Sequence, residues 1–82
     1  MTFLIDVLIL PHQQLLDPQG KATLHGLKQL GLQAVTDVRV GKRIQLSVQS
    51  ETAEEALSFA TQAAQKLLAN PITETFEIQL VS

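Results

Sequence analysis

The sequence predicts an α+β fold, a two-layer sandwich built in the order βαββαβ. Three observations carry the prediction. Leu15-Leu16-Asp17-Pro18-Gln19-Gly20 opens one helix-sized segment, and Lys66-Leu67-Leu68-Ala69-Asn70-Pro71 closes another. Between them, Val38-Arg39-Val40-Gly41-Lys42 reads as one strand turning into the next.

Residues 3–10 alternate as a strand, with Phe3, Ile5, Val7 and Ile9 on one face and Leu4, Asp6, Leu8 and Leu10 on the other. Both faces are apolar apart from Asp6, so both are expected to be covered. Helices of a two-layer fold cover one, and a second copy of the chain is the simplest cover for the other. Pro11 ends the strand, and a connection runs to Leu16. Asp17 is an N-cap residue, with Pro18 at the first helical position, where its missing N–H costs nothing. Leu24, Leu27 and Leu30 share a side of this helix, and Gly31 is placed to end it in the left-handed conformation. Gly20 and Gly26 each cost about 1 kcal/mol relative to alanine. A close backbone approach at Gly26 and an open helix start at Gly20 would explain them.

Residues 34–40 and 43–49 form a predicted hairpin, with Gly41-Lys42 as a two-residue turn led by glycine. Thr52, followed by Glu55 three residues on, opens the second helix as a capping box. Ala53, Ala56, Leu57, Ala60, Ala63, Ala64 and Leu67 form its inward stripe, and Asn70-Pro71 stops it. The last strand, 72–80, turns Ile72, Phe76, Ile78 and Leu80 inward; by parity Glu74 joins them. This order, with antiparallel strands in the middle, is most economically a ferredoxin-like antiparallel sheet with two helices on one face.

At 82 residues, the chain is a single domain, 1–82. It has no cysteine, which removes disulfides, thiolate metal sites and cysteine nucleophiles. The absence of a basic leader and of an apolar run near 20 residues implies a cytoplasmic protein without a membrane span. A net charge of −2 implies no nucleic-acid partner. The charge is uneven: residues 1–50 hold five Lys/Arg against three Asp, net +2, and residues 51–82 hold Lys66 against five Glu, net −4. No catalytic set is visible. His12 and His25 lack partners at metal spacing. Ser47, Ser50 and Ser58 lack a glycine-rich elbow and a base. Val40-Gly41-Lys42 is not a phosphate loop. Catalytic, cofactor-binding and metal-binding residues are all expected to be absent.

The three motifs, in this order and spacing, resemble the PurS family, the small subunits of bacterial and archaeal formylglycinamidine ribonucleotide synthase. The likeness runs from the first strand to the last. It implies a non-catalytic part in de novo purine synthesis, where formylglycinamide ribonucleotide, glutamine and ATP become formylglycinamidine ribonucleotide, glutamate, ADP and phosphate. It implies a homodimer or higher homo-oligomer that bridges a glutaminase subunit, PurQ, and a synthetase subunit, PurL, and helps shield ammonia between them. ATP and magnesium belong to the synthetase, with no cofactor on this chain. The resemblance carries subunit-interaction roles onto Asp17, Pro18, Gln19 and Gly20, onto Arg39, Gly41 and Lys42, and onto Leu68, Ala69 and Asn70. Capping and turn chemistry account for most of these residues without a partner, but do not require an arginine at 39, which could pair with Asp37 or with a partner. Arg43 departs from the family's pattern by making the hairpin more basic. The rival reading is a free-standing ACT-like module that binds a small regulatory ligand. An acylphosphatase-like enzyme would need an arginine after the first strand, where this chain has Pro11-His12-Gln13-Gln14.

Overall fold

A computed structural model describes residues 1–13 and 17–82. Part of the connection after the first strand, and Leu15-Leu16 of the opening motif, lie outside the described residues. The elements are β1 (Thr2–Pro11), α1 (Pro18–Gln29), β2 (Lys42–Gln49), α2 (Ala53–Ala63), a π-helical turn (Ala64–Leu68) and β3 (Glu74–Leu80). The strands form one antiparallel sheet in the order β2-β1-β3. Ile5 lies opposite Leu46 on one side and Leu80 on the other.

The α+β, ferredoxin-like class stands, with α2 packed on the face made by Ile5, Val7 and Ile9. These three side chains are fully buried, as are Ala56, Ala60 and Ala64. The alanines let α2 sit close to the sheet, so the isoleucines and valine fill the layer between. Each such side chain contributes about 1.5–3 kcal/mol when taken out of water. Thr52 caps α2 through its hydroxyl, which accepts from Glu55 N–H at 3.1 Å. The reciprocal half of the capping box is replaced: the Glu55 carboxylate accepts from the Ser50 hydroxyl at 3.1 Å instead of turning back to Thr52.

Both ends of α1 follow the sequence. Asp17 accepts from Gly20 N–H at 3.0 Å. At the other end Gly31 takes φ +89°, and Leu32 N–H and Gly31 N–H donate to the Leu27 and Lys28 carbonyls at 3.1 and 3.0 Å. That pair of bonds is a Schellman closure, which glycine makes without steric cost.

Four expectations are corrected. The hairpin of 34–40 with 43–49 does not form: residues 35–40 belong to no strand ladder, and among the described residues β2 pairs only with β1. A two-residue turn led by glycine needs positive φ at that glycine, and Gly31 is the only glycine with positive φ among the described residues. Gly41 therefore leads into β2 without that turn. There a Cβ would collide with the Ile9 carbonyl oxygen. Second, α1 does not lie beside α2; it packs at most marginally on the sheet or on α2. Third, Gly26 permits no close approach within the chain, since nothing lies near where its Cβ would be. Fourth, Leu67 and Ile72 point to solvent, 83% and 81% exposed. The π turn, closed by Ala69 N–H to Ala64 O at 2.9 Å, shifts the helical phase so that Leu68 and Ala69 reach the core in place of Leu67. Ile72 sits in an Asx turn, its N–H bonded to the Asn70 side chain at 3.0 Å, and precedes β3.

The outer face of β1 is only partly covered within the chain, where Leu10 is 39% exposed. Its Asp6 is 5% exposed, closed in by Arg43 at 2.6 Å and Gln45 at 3.0 Å from β2. Leu4 and Leu8 are half-buried between polar neighbours such as Ser47, Arg43 and Glu77. The extra hairpin cation that departed from the family pattern thus has its contact inside the chain.

Candidate functional site

The residues carried by the three motifs lie far apart in sequence, and the fold gathers key members of each at the end of the sheet where β1 finishes. Asp17 is the hub of the first two. One carboxylate oxygen caps α1 at Gly20; the other accepts from Val40 N–H at 3.0 Å. Gly20 is buried because its backbone lies against the Val38 carbonyl and the Asp17 carboxylate, leaving no room for a Cβ. The bonds from Val40 and Gly20, and the nearby Arg39 cation, hold the Asp17 carboxyl below its ordinary pKa despite the opposing effect of desolvation.

Arg39 leaves Asp37 unused. Its guanidinium donates through Nη2 to the Pro11 carbonyl oxygen, tying the segment before β2 to the last residue of β1. Asp37 instead accepts from Val38 N–H at 3.0 Å. The Nε of Arg39 is buried with no acceptor among the described residues. Lys42 begins β2 and reaches Glu74 at 3.7 Å. Glu74 in turn accepts from Asn70 N–H at 2.8 Å, so the second and third motifs are linked through a carboxylate outside both. Ala69 is buried and Leu68 half-buried against the core. Pro18 and Gln19 are exposed.

Sequence reasoning missed Glu74 and Pro11 as connectors. A carboxylate at an inward parity position was the available signal for Glu74. Nothing in the sequence marks a carbonyl as the acceptor of an arginine 28 residues away. His12 belongs to the same end of the sheet: its N–H donates to the Thr73 carbonyl at 2.9 Å, and with Gln13, Arg39 and Thr75 it lines an open cleft of about 370 Å³. Among the described residues no group of three His, Asp or Glu side chains is placed to hold a metal ion. Among the described residues no helix is long and apolar enough to cross a membrane. The arrangement is a set of backbone ties, one ion pair and one unsatisfied guanidinium nitrogen at a junction, chemistry suited to fixing geometry and meeting another surface.

Comparison with known proteins gives a consistent result. The family model PurS, phosphoribosylformylglycinamidine (FGAM) synthase, matches residues 4–82. The chain is similar to the phosphoribosylformylglycinamidine synthase subunit PurS of Archaeoglobus fulgidus, 34% identical over 73 residues, covering 89% of this chain and 91% of the relative. Its structure is similar to the Thermotoga maritima PurS subunit, with TM-score 0.92, 27% identity and coverage of 99% and 93%. It is equally similar to a chain of the Thermotoga maritima PurLQS structure, with TM-score 0.91, 27% identity and 99% of each chain covered.

Proposed function

The chain belongs to the PurS family of phosphoribosylformylglycinamidine synthase subunits, and we propose that it is the non-catalytic assembly subunit of that glutamine-dependent ligase in purine biosynthesis. In this reading it acts in the cytoplasm as a homodimer. It bridges the PurL synthetase and the PurQ glutaminase and helps ammonia pass between them, while the synthetase handles ATP and magnesium. The PurLQS assembly of Thermotoga maritima, with a chain of this fold in it, supports the reading.

The observation that carries it is the gathering of Asp17, Arg39 and Lys42 with Asn70 around the end of β1, through the ties Asp17–Val40, Arg39–Pro11, Lys42–Glu74 and Glu74–Asn70. These ties stiffen one end of an elongated molecule 50 Å long. They also leave a buried Arg39 nitrogen in want of an acceptor. A buried donor without a partner costs about 1–3 kcal/mol, which an acceptor on a docking subunit would relieve.

The test is reconstitution. The chain with purified PurL and PurQ is expected to restore glutamine-dependent product, and the chain alone to yield none. Full activity of PurL and PurQ without it would overturn the assembly role. Arg39→Ala is expected to weaken assembly, read by co-sedimentation, while the isolated chain keeps its fold. Unchanged assembly would remove Arg39 from the interface.

A further inference from the structure

We propose that the outer edge of β3 is a docking edge, on which another subunit of the synthase lays an extended segment as an added strand, its apolar side chains turned to the α2 side and a lysine or arginine opposite Glu77. The proposal rests on the assembly reading above and gives that assembly a point of contact.

Among the described residues β3 pairs only with β1, so one row of its backbone groups is unpaired. The bonds at the two ends of the β1–β3 ladder fix which row. Val81 N–H donates to the Leu4 carbonyl at 2.8 Å, and His12 N–H donates to the Thr73 carbonyl at 2.9 Å. Bonds in an antiparallel pair fall on alternate residues, and the register is continuous from Ile5–Leu80 to Pro11–Glu74. Thr75, Glu77 and Gln79 therefore bond to β1, while Phe76, Ile78 and Leu80 turn both N–H and C=O outward. The edge is also unguarded. Sheet edges that stay free are blunted by lysine, proline, a bulge or an inward-pointing charge. Residues 75–80 contain no lysine and no proline, and their register has no bulge. Their side chains on the α2 face are Phe76 and Ile78, packed against the core, and Leu80, 44% exposed. Leu67 and Ile72, on the chain that leads into β3, are open to solvent. An added strand finds apolar surface there as well as backbone partners.

A second copy of β3 is a poor occupant. Two copies related by a two-fold axis pair the whole strand only when centred on Glu77, which then faces its own counterpart. On this edge Glu77 falls in a non-hydrogen-bonded pair, where opposed Cα atoms come closest, about 4.5 Å apart. Like charges directly opposite destabilise a sheet. Glu77 is exposed, and among the described residues it takes part in no ion pair. Its carboxylate accepts only a long bond from Gln79 Nε2, at 3.4 Å. A strand from a different subunit can place a cation opposite it, and opposite charges in a cross-strand pair are favourable. The unanswered charge at the centre of the edge thus selects a strand of different sequence over a second copy.

The test compares Leu80→Pro with Leu80→Ala. Both remove the leucine side chain, but only proline also removes an outward N–H, and a strand edge accepts proline at such a position. With PurL and PurQ, Leu80→Pro is expected to assemble about tenfold more weakly than Leu80→Ala, read by co-sedimentation. Equal affinity would overturn the docking edge and leave the assembly reading intact. Amide hydrogen exchange on the unaltered chain needs no folded variant. Addition of PurL and PurQ should slow the amides of Phe76, Ile78 and Leu80, whereas those of Thr75, Glu77 and Gln79 are already slow in the free chain. An assembly that forms without that gain of protection would sink the proposal alone. Failure of the three subunits to assemble would sink the reading on which it rests. Glu77→Gln separates the two occupants. Weaker assembly with PurL and PurQ at low salt is expected. A native mass that doubles instead would show β3 meeting a second copy and overturn the choice of a different subunit.

Discussion

The sheet with α2 and the segment from Asp17 to Gly41 are stabilised in different ways. In the first, Ile5, Val7 and Ile9 are sealed under a stripe of alanines, and the strands are registered along most of their length. In the second, a Schellman closure, one aspartate that serves two N–H groups and one arginine–carbonyl tie hold a helix that barely touches the rest. The first half is stable through excluded area. The second depends on a few directional bonds and is well ordered internally without a core of its own. Packing makes this chain's rigid body, and polar ties aim its projecting part.

The largest expected effect breaks the packed half. Ile5→Ala removes a fully buried side chain that contacts Ala56 and Ala60. It is expected to cost about 2–5 kcal/mol in urea unfolding, as for other isoleucine-to-alanine changes in cores. Amides of β1, β2 and β3 should lose hydrogen-exchange protection together. A cost below about 1 kcal/mol would show that α2 settles into the space and that the alanine stripe is not the close fit described here.

Gly20→Ala strikes the other half. Its Cβ would meet the Val38 carbonyl oxygen and the Asp17 carboxylate, and backbone cannot yield as a side-chain tip can. Overpacking of this kind costs about 1–3 kcal/mol. The predicted signature is loss of amide protection in α1 and around Val40, with the sheet unchanged. Equal loss in β1 and β3 would show that the two regions are one cooperative unit.

Acid sharpens the same contrast, because each half contains one aspartate with a depressed pKa. The Asp6 carboxyl is lowered first by its hydrogen bond from Gln45 and then by Arg43, with burial opposing. Asp17 is lowered by the Val40 and Gly20 N–H groups. A folded-state pKa below the unfolded value contributes stability that is present above the unfolded value and is lost as pH falls through the folded one. Stability should therefore decline within the acidic carboxylate range. Asp17→Asn should flatten the part of that decline seen in α1 protection, and Asp6→Asn the part seen in the sheet. An unchanged acid slope in either variant would show that its aspartate is not the titrating group.

Much of this contrast was legible in the residues. Both ends of α1, the start of α2, the inner face of β1 and the alanine stripe follow from capping and periodicity, which are local. The loss of the expected hairpin was not legible. Val38 and Val40 alternate with polar residues as a strand should, and Gly41 suits a turn; the outcome is decided by Asp17 and the Ile9 carbonyl, both more than 20 residues away. The Leu67 phase error has a similar origin, since an i+5 bond leaves no pattern in composition. The motif residues could be named one by one from sequence. Their meeting at the end of β1 depends on Pro11 and Glu74, neither of which belongs to a motif.

The smallest expected effect concerns the ion pair at that junction. Lys42 is 56% exposed in its side chain and lies 3.7 Å from Glu74, which is 22% exposed. Pairs this open contribute about 0–1 kcal/mol, and salt screens them. Lys42→Ala should therefore shift the urea midpoint only slightly, with the shift vanishing at high salt. Glu74→Ala should cost more, because it also takes the acceptor from Asn70 N–H at the turn into β3. Thermal unfolding of the two single variants and the double variant separates the contributions. If Lys42→Ala costs as much as Glu74→Ala, the ion pair rather than the Asn70 bond would be what joins the helix-closing motif to the start of β2.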